Sequence, residues 1–466
     1  MTAHPGPGAH PYIPASVPGV REAMLRQIGA PDVDSLYADI PAELRLDRPL
    51  ALPEPLTAEH DLRRHVEGLL ARNTSTADAL SFLGAGCYPH VVPAVCDEIN
   101  ARSEFLTAYG GEPYEDHGRF QALFEYASMM GELLGMDVVS IPTFDGAQAS
   151  ATALRMAGRI TGRGRVLVPG TTSPQRRSVI DNYVRGALEV VPVAYERDSG
   201  LLDLADLRAK LTPDTAAVLV ENPTFLGIIE EQAPAIAELA HARGALAVAC
   251  VDPSSLGVLE APGSCGFDIA CGDLQPLGIH MYFGGGHGGF IATPDEPRFV
   301  AEYPSRLFGL TDTAVEGEYG FGDVAWERTS FHGREEGKEF VGTAAALWGI
   351  TAGVYLALMG PQGMAELGET CMRLARYAAG RLGSLPGVRS PRLSGIPFKE
   401  FAVDFSGTGR TVQEINAALL DRGIFGGADL SESFPALGQS ALYCVTEAHT
   451  RADIDRLIDT LAEVLR

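Results

Sequence analysis

The residues of this chain best suited to chemistry gather at glycine-rich turns and at the ends of apolar runs. Thr143-Phe144-Asp145-Gly146-Ala147-Gln148 is one such turn. Gly146 lets the backbone approach a ligand, and a helix starting there would turn the N–H groups of Ala147 and Gln148 toward a phosphate. An ordinary helix start with Asp145 as its N-cap fits the same residues equally well. Asp252 directly follows the apolar run 245–251. A carboxylate at such a strand end can pair with a protonated pyridine nitrogen and keep a pyridoxal ring electron-withdrawing. The plainer reading, favoured on these residues alone, is that Asp252-Pro253 opens a turn. Gly272-Asp273-Leu274-Gln275-Pro276-Leu277-Gly278 precedes His280, the glycine run 284–286 and His287. So many glycines indicate close backbone packing at a ligand or a subunit contact. The two histidines lack an acidic third ligand at convincing spacing, so hydrogen-bonded or solvated imidazoles are expected rather than a metal site. Glu115, Asp116 and His117 place two acids and an imidazole in one loop. Asp116 and His117 are thereby candidates for acid–base catalysis, and equally parts of a polar surface loop.

Lysine chemistry is easily audited, because Lys210, Lys338 and Lys399 are the only lysines. Lys338 lies among Glu335, Glu336 and Glu339. That setting favours a charged, solvated ammonium over the depressed pKa of an imine-forming lysine. The seven cysteines form no CxxC pair. Cys250, Cys265 and Cys271 sit in apolar contexts and are expected to be buried, reduced thiols without a metal.

The elements that must position these groups alternate along the middle of the chain. Candidate strands at 138–141, 165–168, 189–193, 216–220, 245–251, 267–271 and 289–293 are separated by helical stretches such as 149–160. Several strands are continuous apolar runs, which predicts a mostly parallel seven-stranded α/β sheet covered on both faces. In such sheets ligands collect beyond the C-terminal strand ends, where the turn at 143–149, Asp252 and the glycine-rich segment all fall. Before the sheet comes a tail and helical arm, 1–79, with helices at 20–29 and 59–71. The large α/β domain occupies 80–329, and a smaller α+β domain occupies 330–466 with long helices at 344–359 and 363–382 and a closing helix at 451–465.

The longest clean apolar run is seven residues, 245–251, against the roughly 20 a membrane helix needs. A net charge of −24 disfavours nonspecific nucleic-acid binding. The opening residues show no secretory pattern, so the cytoplasm is the expected compartment.

Taken in order along the chain, the short motifs form one set. They begin with Asp39-Ile40-Pro41, Leu83-Gly84-Ala85-Gly86 with Tyr88 and His90, Arg102-Ser103-Glu104-Phe105 and Thr107-Ala108-Tyr109. Phe124-Glu125-Tyr126, Gly135-Met136-Asp137, Asp145-Gly146-Ala147, Val251-Asp252-Pro253 and Ser255-Leu256-Gly257 continue the set. Gly272-Asp273, Gln275-Pro276-Leu277-Gly278, Phe283-Gly284-Gly285 and Cys444-Val445-Thr446-Glu447 complete it, so the set spans nearly the whole chain. The ordered set resembles the first subunit of the glycine decarboxylase of the glycine cleavage system, and the resemblance implies the aminotransferase-like fold (fold type I) of pyridoxal-phosphate enzymes and an α2β2 assembly with a homologous second subunit. That partner carries pyridoxal phosphate as a lysine imine, decarboxylates glycine and passes the aminomethyl group to a lipoyl carrier protein. The equivalent of the imine lysine here is Pro276. By the resemblance, then, this chain keeps a degenerate cofactor pocket at Gly146, Ala147, Gln148 and Asp252, and completes a partner's active site.

The chain also departs from the family. After Tyr109, the usual Thr-Pro-Tyr-Gln-Pro-Glu-Ile-Ser-Gln-Gly becomes the shorter 110–118 stretch, and His-Pro-Glu-Ser-Arg becomes Ser173-Pro174-Gln175-Arg176-Arg177. A Pro-Tyr-Leu-Gly stretch becomes Gly286-His287-Gly288-Gly289, and the Arg-Arg-Glu-Lys-Ala-Thr-Ser-Asn region becomes 334–340. Scaffold motifs are kept while cleft loops are rewritten, which suggests a specialised paralogue serving a different amino acid or carrier. A stand-alone enzyme of the same fold, alone or as a homodimer, and a structural or regulatory subunit with an empty cleft remain the alternatives.

Overall fold

A computed structural model describes residues 12–13, 17–46, 48, 50–105, 117–339 and 345–466. The chain divides into two units between Asn73 and Thr74. The first contains helix α1 (Pro18–Ile28), begun by a proline and closed by Gly29 in the left-handed region, and helix α2 (Glu59–Leu70). None of its described residues is buried.

The second unit opens with strand β1 (Leu80–Ser81) and helices α3 (Ala94–Asn100) and α4 (His117–Leu134). Then come β2 (Val138–Val139), α5 (Gly146–Thr161), β3 (Arg165–Pro169), α6 (Pro174–Tyr183) and β4 (Glu189–Val193). Helix α7 (Leu204–Lys210), β5 (Thr215–Asn222), α8 (Ala233–His241), β6 (Leu246–Val251), β7 (Ile269–Asp273) and β8 (Gly289–Thr293) follow. The seven strands β2 to β8 form one sheet in the order β2-β8-β7-β6-β5-β3-β4. Strand β8 runs against both its neighbours, and the other pairings are parallel.

The apolar runs become central strands because both faces are covered. On β6, Ala247, Ala249 and Val251 enter one core while Leu246, Val248 and Cys250 enter the other. This period of two, with apolar residues on both phases, is what a doubly covered strand requires. Helix α5 covers one face with Ala149, Ala153, Met156 and Ala157.

Beyond the sheet lie α9 (Pro297–Val300) and the hairpin of β9 (Phe308–Asp312) and β10 (Tyr319–Asp323). The two long helices expected in the C-terminal half are both present, as the two arms of α10 (Ala346–Leu382), which meet at a kink at Gly360-Pro361 where Gly360 has φ 59° and ψ −178°. The remaining elements are β11 (Glu400–Asp404), α11 (Val412–Leu420), β12 (Ile424–Phe425), β13 (Ala428–Asp429), β14 (Ser440–Cys444) and α12 (Arg451–Val464). Strands β11, β14 and β13 make an antiparallel sheet, and β12 pairs in parallel with β1. Phe82, Phe401, Tyr443, Leu457 and Leu461 share the core beneath it. Strand β11 therefore delivers the residues at its start toward the C-terminal ends of β5 and β6.

Candidate functional site

A cleft with about 660 Å³ of empty space, counted out to its open mouth, lies at the strand ends. Its walls include Tyr88, Arg176, Asp252, Asp273, Pro276, Lys399 and Glu400. Asp252 opens a turn, the plainer of its two expected roles, and its second oxygen faces a lysine rather than a ring. Its Oδ1 accepts the N–H (2.9 Å) and hydroxyl (2.6 Å) of Ser254, capping the turn Pro253–Gly257. Its Oδ2 lies 2.5 Å from Nζ of Lys399, whose side chain is only 2% exposed.

The Lys399 ammonium has three further neighbours. It donates to Nε2 of His90 at 2.9 Å and to the Ser254 hydroxyl at 3.3 Å, and it lies 3.6 Å from the centre of the Tyr88 ring. An ammonium can only donate, so Nε2 of His90 accepts and the ring proton resides on Nδ1. Nδ1 faces Oε2 of Glu447 at 2.8 Å, and the other oxygen of Glu447 accepts the N–H of Val91 at 2.8 Å. The line Asp252–Lys399–His90–Glu447 thus ties β6, the residue before β11 and the segment after β14 into one buried network.

Burial alone would depress the Lys399 pKa, but the charge of Asp252 overrides it and holds it above the ordinary value. Burial likewise pushes Asp252 upward, and Lys399 pulls it below the usual carboxylate range. Both stay ionised. His90 is lowered by its burial and by the Lys399 charge, which keeps the imidazole neutral. Glu400, next in sequence, is pushed by burial up to about 7, against the Ala85 N–H (2.6 Å), the Lys399 charge and the Tyr88 hydroxyl (3.0 Å).

At the other end of the cleft, Asp145 caps α5 through the Gln148 N–H at 2.7 Å. The Gly146 N–H donates to Oδ2 of Asp273 at 3.0 Å. Gly146 is required here because a Cβ would fall 2.8 Å from the Asp273 nitrogen. Ala147 lies between these two positions in the first turn of α5. Carboxylates therefore hold two N–H groups at the N-terminus of α5, that of Gly146 and that of Gln148, the latter one of the two expected phosphate donors. Pyridoxal phosphate does not fit this arrangement: Pro276 offers no amine, Asp252 already has its counter-charge, and Asp273 sets an anion at the α5 N-terminus.

The remaining candidates do not line the cleft or are outside the described residues, though Nδ1 of His287 comes within 3.9 Å of Oδ1 of the cleft-wall Asp273. Asp116 is outside the described residues, and His117 is described only as the first residue of α4. Lys338 pairs with Glu302 at 2.6 Å, and Lys210 with Asp206 at 2.7 Å. His280 meets exposed Asp97 at 2.9 Å, while buried His287 is 2.7 Å from the Met281 carbonyl. No group of three metal-ligating side chains occurs among the described residues. No helix among them is long and apolar enough to cross a membrane.

No sequence motif singles out Lys399 or Glu400. Their signal is a charged pair set between Ile396-Pro397-Phe398 and Phe401-Ala402-Val403, since charges inside an apolar run must be paired if buried. His90 and Glu447 are 357 residues apart, and no local pattern joins them.

A family model described as glycine cleavage system P-protein matches residues 10–461. A probable glycine dehydrogenase (decarboxylating) subunit 1 from Staphylothermus marinus is 38% identical over 468 residues, covering 98% of each chain. Its counterpart from Chlorobium limicola is 42% identical over 446 residues, covering 95% of this chain and 97% of the relative. A crystal structure of glycine decarboxylase (P-protein) in inhibitor-bound form matches with a TM-score of 0.83 at 36% identity, covering 98% of this chain and 99% of that one. A sphingosine-1-phosphate lyase from Burkholderia pseudomallei matches with a TM-score of 0.65 at 14% identity, covering 92% and 94%. That last likeness carries fold alone, and it agrees with the aminotransferase-like α/β architecture expected from the sequence.

Proposed function

Because this chain belongs to the glycine cleavage system P-protein family, we propose that it is the subunit of a glycine-decarboxylating dehydrogenase that forms no cofactor imine of its own. In this role it completes the active site of a homologous, lysine-bearing second subunit, with pyridoxal phosphate held by that partner and a lipoyl carrier protein as aminomethyl acceptor. The observation that carries the proposal is Pro276 on the cleft wall, together with the engagement of the one lysine that does reach the cleft, Lys399, by Asp252. Nearly end-to-end similarity to relatives named subunit 1 supports it. Ser173 and Arg176, from one of the rewritten stretches, line the same cleft. They are where a preference for another amino acid or carrier would be set.

The test is exchange of labelled bicarbonate into the glycine carboxyl group in the presence of a lipoyl carrier protein. Activity is expected only when this chain and a lysine-bearing homologue are mixed. Exchange by this chain alone would show a stand-alone enzyme. Undiminished exchange by the homologue without it would show a dispensable subunit.

A further inference from the structure

We infer that Lys399 is this chain's own replacement for a pyridoxal ring's protonated nitrogen, and that it closes the cleft to such rings until it is removed. The inference rests on the proposed role as the subunit that forms no cofactor imine, and extends it to the residue responsible for exclusion. Asp252, at the C-terminal end of a buried parallel strand, is placed to face a ring cation. A buried carboxylate requires a counter-charge, and leaving it unpaired is strongly destabilising. Lys399 meets that requirement at 2.5 Å.

The surroundings of its Nζ are those a flat cation would use. The Tyr88 ring covers one side at 3.6 Å, and the Ser254 hydroxyl and His90 Nε2 stand at 3.3 and 2.9 Å. Tyr88 is fixed in place, since its backbone N–H and C=O are both held by the Gln275 side-chain amide, at 3.0 and 2.9 Å, and its hydroxyl by Glu400. Lys399 is also on the wrong side to serve as an imine lysine. In pyridoxal the aldehyde carbon lies across the ring from the nitrogen. An amine on the carboxylate that would hold the nitrogen cannot reach the aldehyde of the same ring in that pose.

The experiment is thermal unfolding of the full chain with and without millimolar pyridoxamine. This probe has the ring but neither the aldehyde nor the phosphate, to which Asp273 would present a like charge. Wild type should show no ligand-dependent shift. Lys399→Met should melt lower, because Asp252 is stranded, and should rise on adding pyridoxamine, with binding about tenfold or more tighter than wild type. Asp252→Asn combined with Lys399→Met should regain stability yet ignore the ligand. If Lys399→Met does not fold, Lys399→Gln, a neutral side chain that can still hydrogen-bond to Asp252, carries the test with a shift in the same direction. Neutral variants that bind no better than wild type would overturn the inference while leaving the partner-dependent role intact. A borohydride-reducible pyridoxal phosphate adduct on wild-type Lys399 would overturn both.

Discussion

Glu400 is bonded to its neighbours only as an acceptor, yet burial holds its pKa near 7. The folded value is above the ordinary one, so the fold prefers the neutral acid. Its contribution to stability is complete below the unfolded pKa, around pH 4.5, and is lost as pH rises through 7. The loss is about 3 kcal/mol. Glu400→Gln keeps the shape and removes the titration. The difference in melting temperature between variant and wild type should therefore grow in the variant's favour from pH 5 to pH 8, as followed by circular dichroism. A flat difference would mean that Glu400 stays ionised throughout. At this scale Asp252 is legible in the sequence, because it ends an apolar strand. The Lys399–Asp252 pair is not, because it joins elements brought together only by the docking of β11 against the parallel sheet. The Asp273–Gly146 contact escapes for the same reason, since each residue belongs to its own motif and only the sheet sets them in register.

Two glycines separate backbone strain from crowding. Gly360 has φ 59° and ψ −178°, and a Cβ added there would have no atom within 4 Å, so Gly360→Ala meets only the backbone preference. Its effect should be about 1–3 kcal/mol. Gly227 has φ 86°, and a Cβ there would fall 2.1 Å from the Glu400 carbonyl oxygen at the start of β11. Gly227→Ala must push that strand away, and with it Lys399 and Glu400. It should destabilise the chain more than Gly360→Ala in urea unfolding, and it should also weaken the pH dependence assigned to Glu400. Equal effects of the two substitutions would show that β11 yields without consequence. The sheet itself is plain in the sequence, because seven apolar runs alternate with helices. The two arms of α10 are plain as well, because Gly360-Pro361 reads locally as a helix terminus and the kink falls there.

For the whole molecule, every buried core cluster is built from residues after Asn73, and no described residue before it is buried. A chain beginning at Thr74 should therefore fold cooperatively, with a melting temperature within a few degrees of the full chain by calorimetry. Loss of the cooperative transition would show that the arm is part of the folding unit. The Asp252–Lys399 pair has a consequence at this scale as well. Proteins that bind a dissociable cofactor gain stability when it is plentiful and lose it when it is scarce. Here the cation that faces the carboxylate is covalently part of the polypeptide and arrives with translation. The charge that balances Asp252 is therefore in place as soon as the chain folds, whatever the supply of small cations around it.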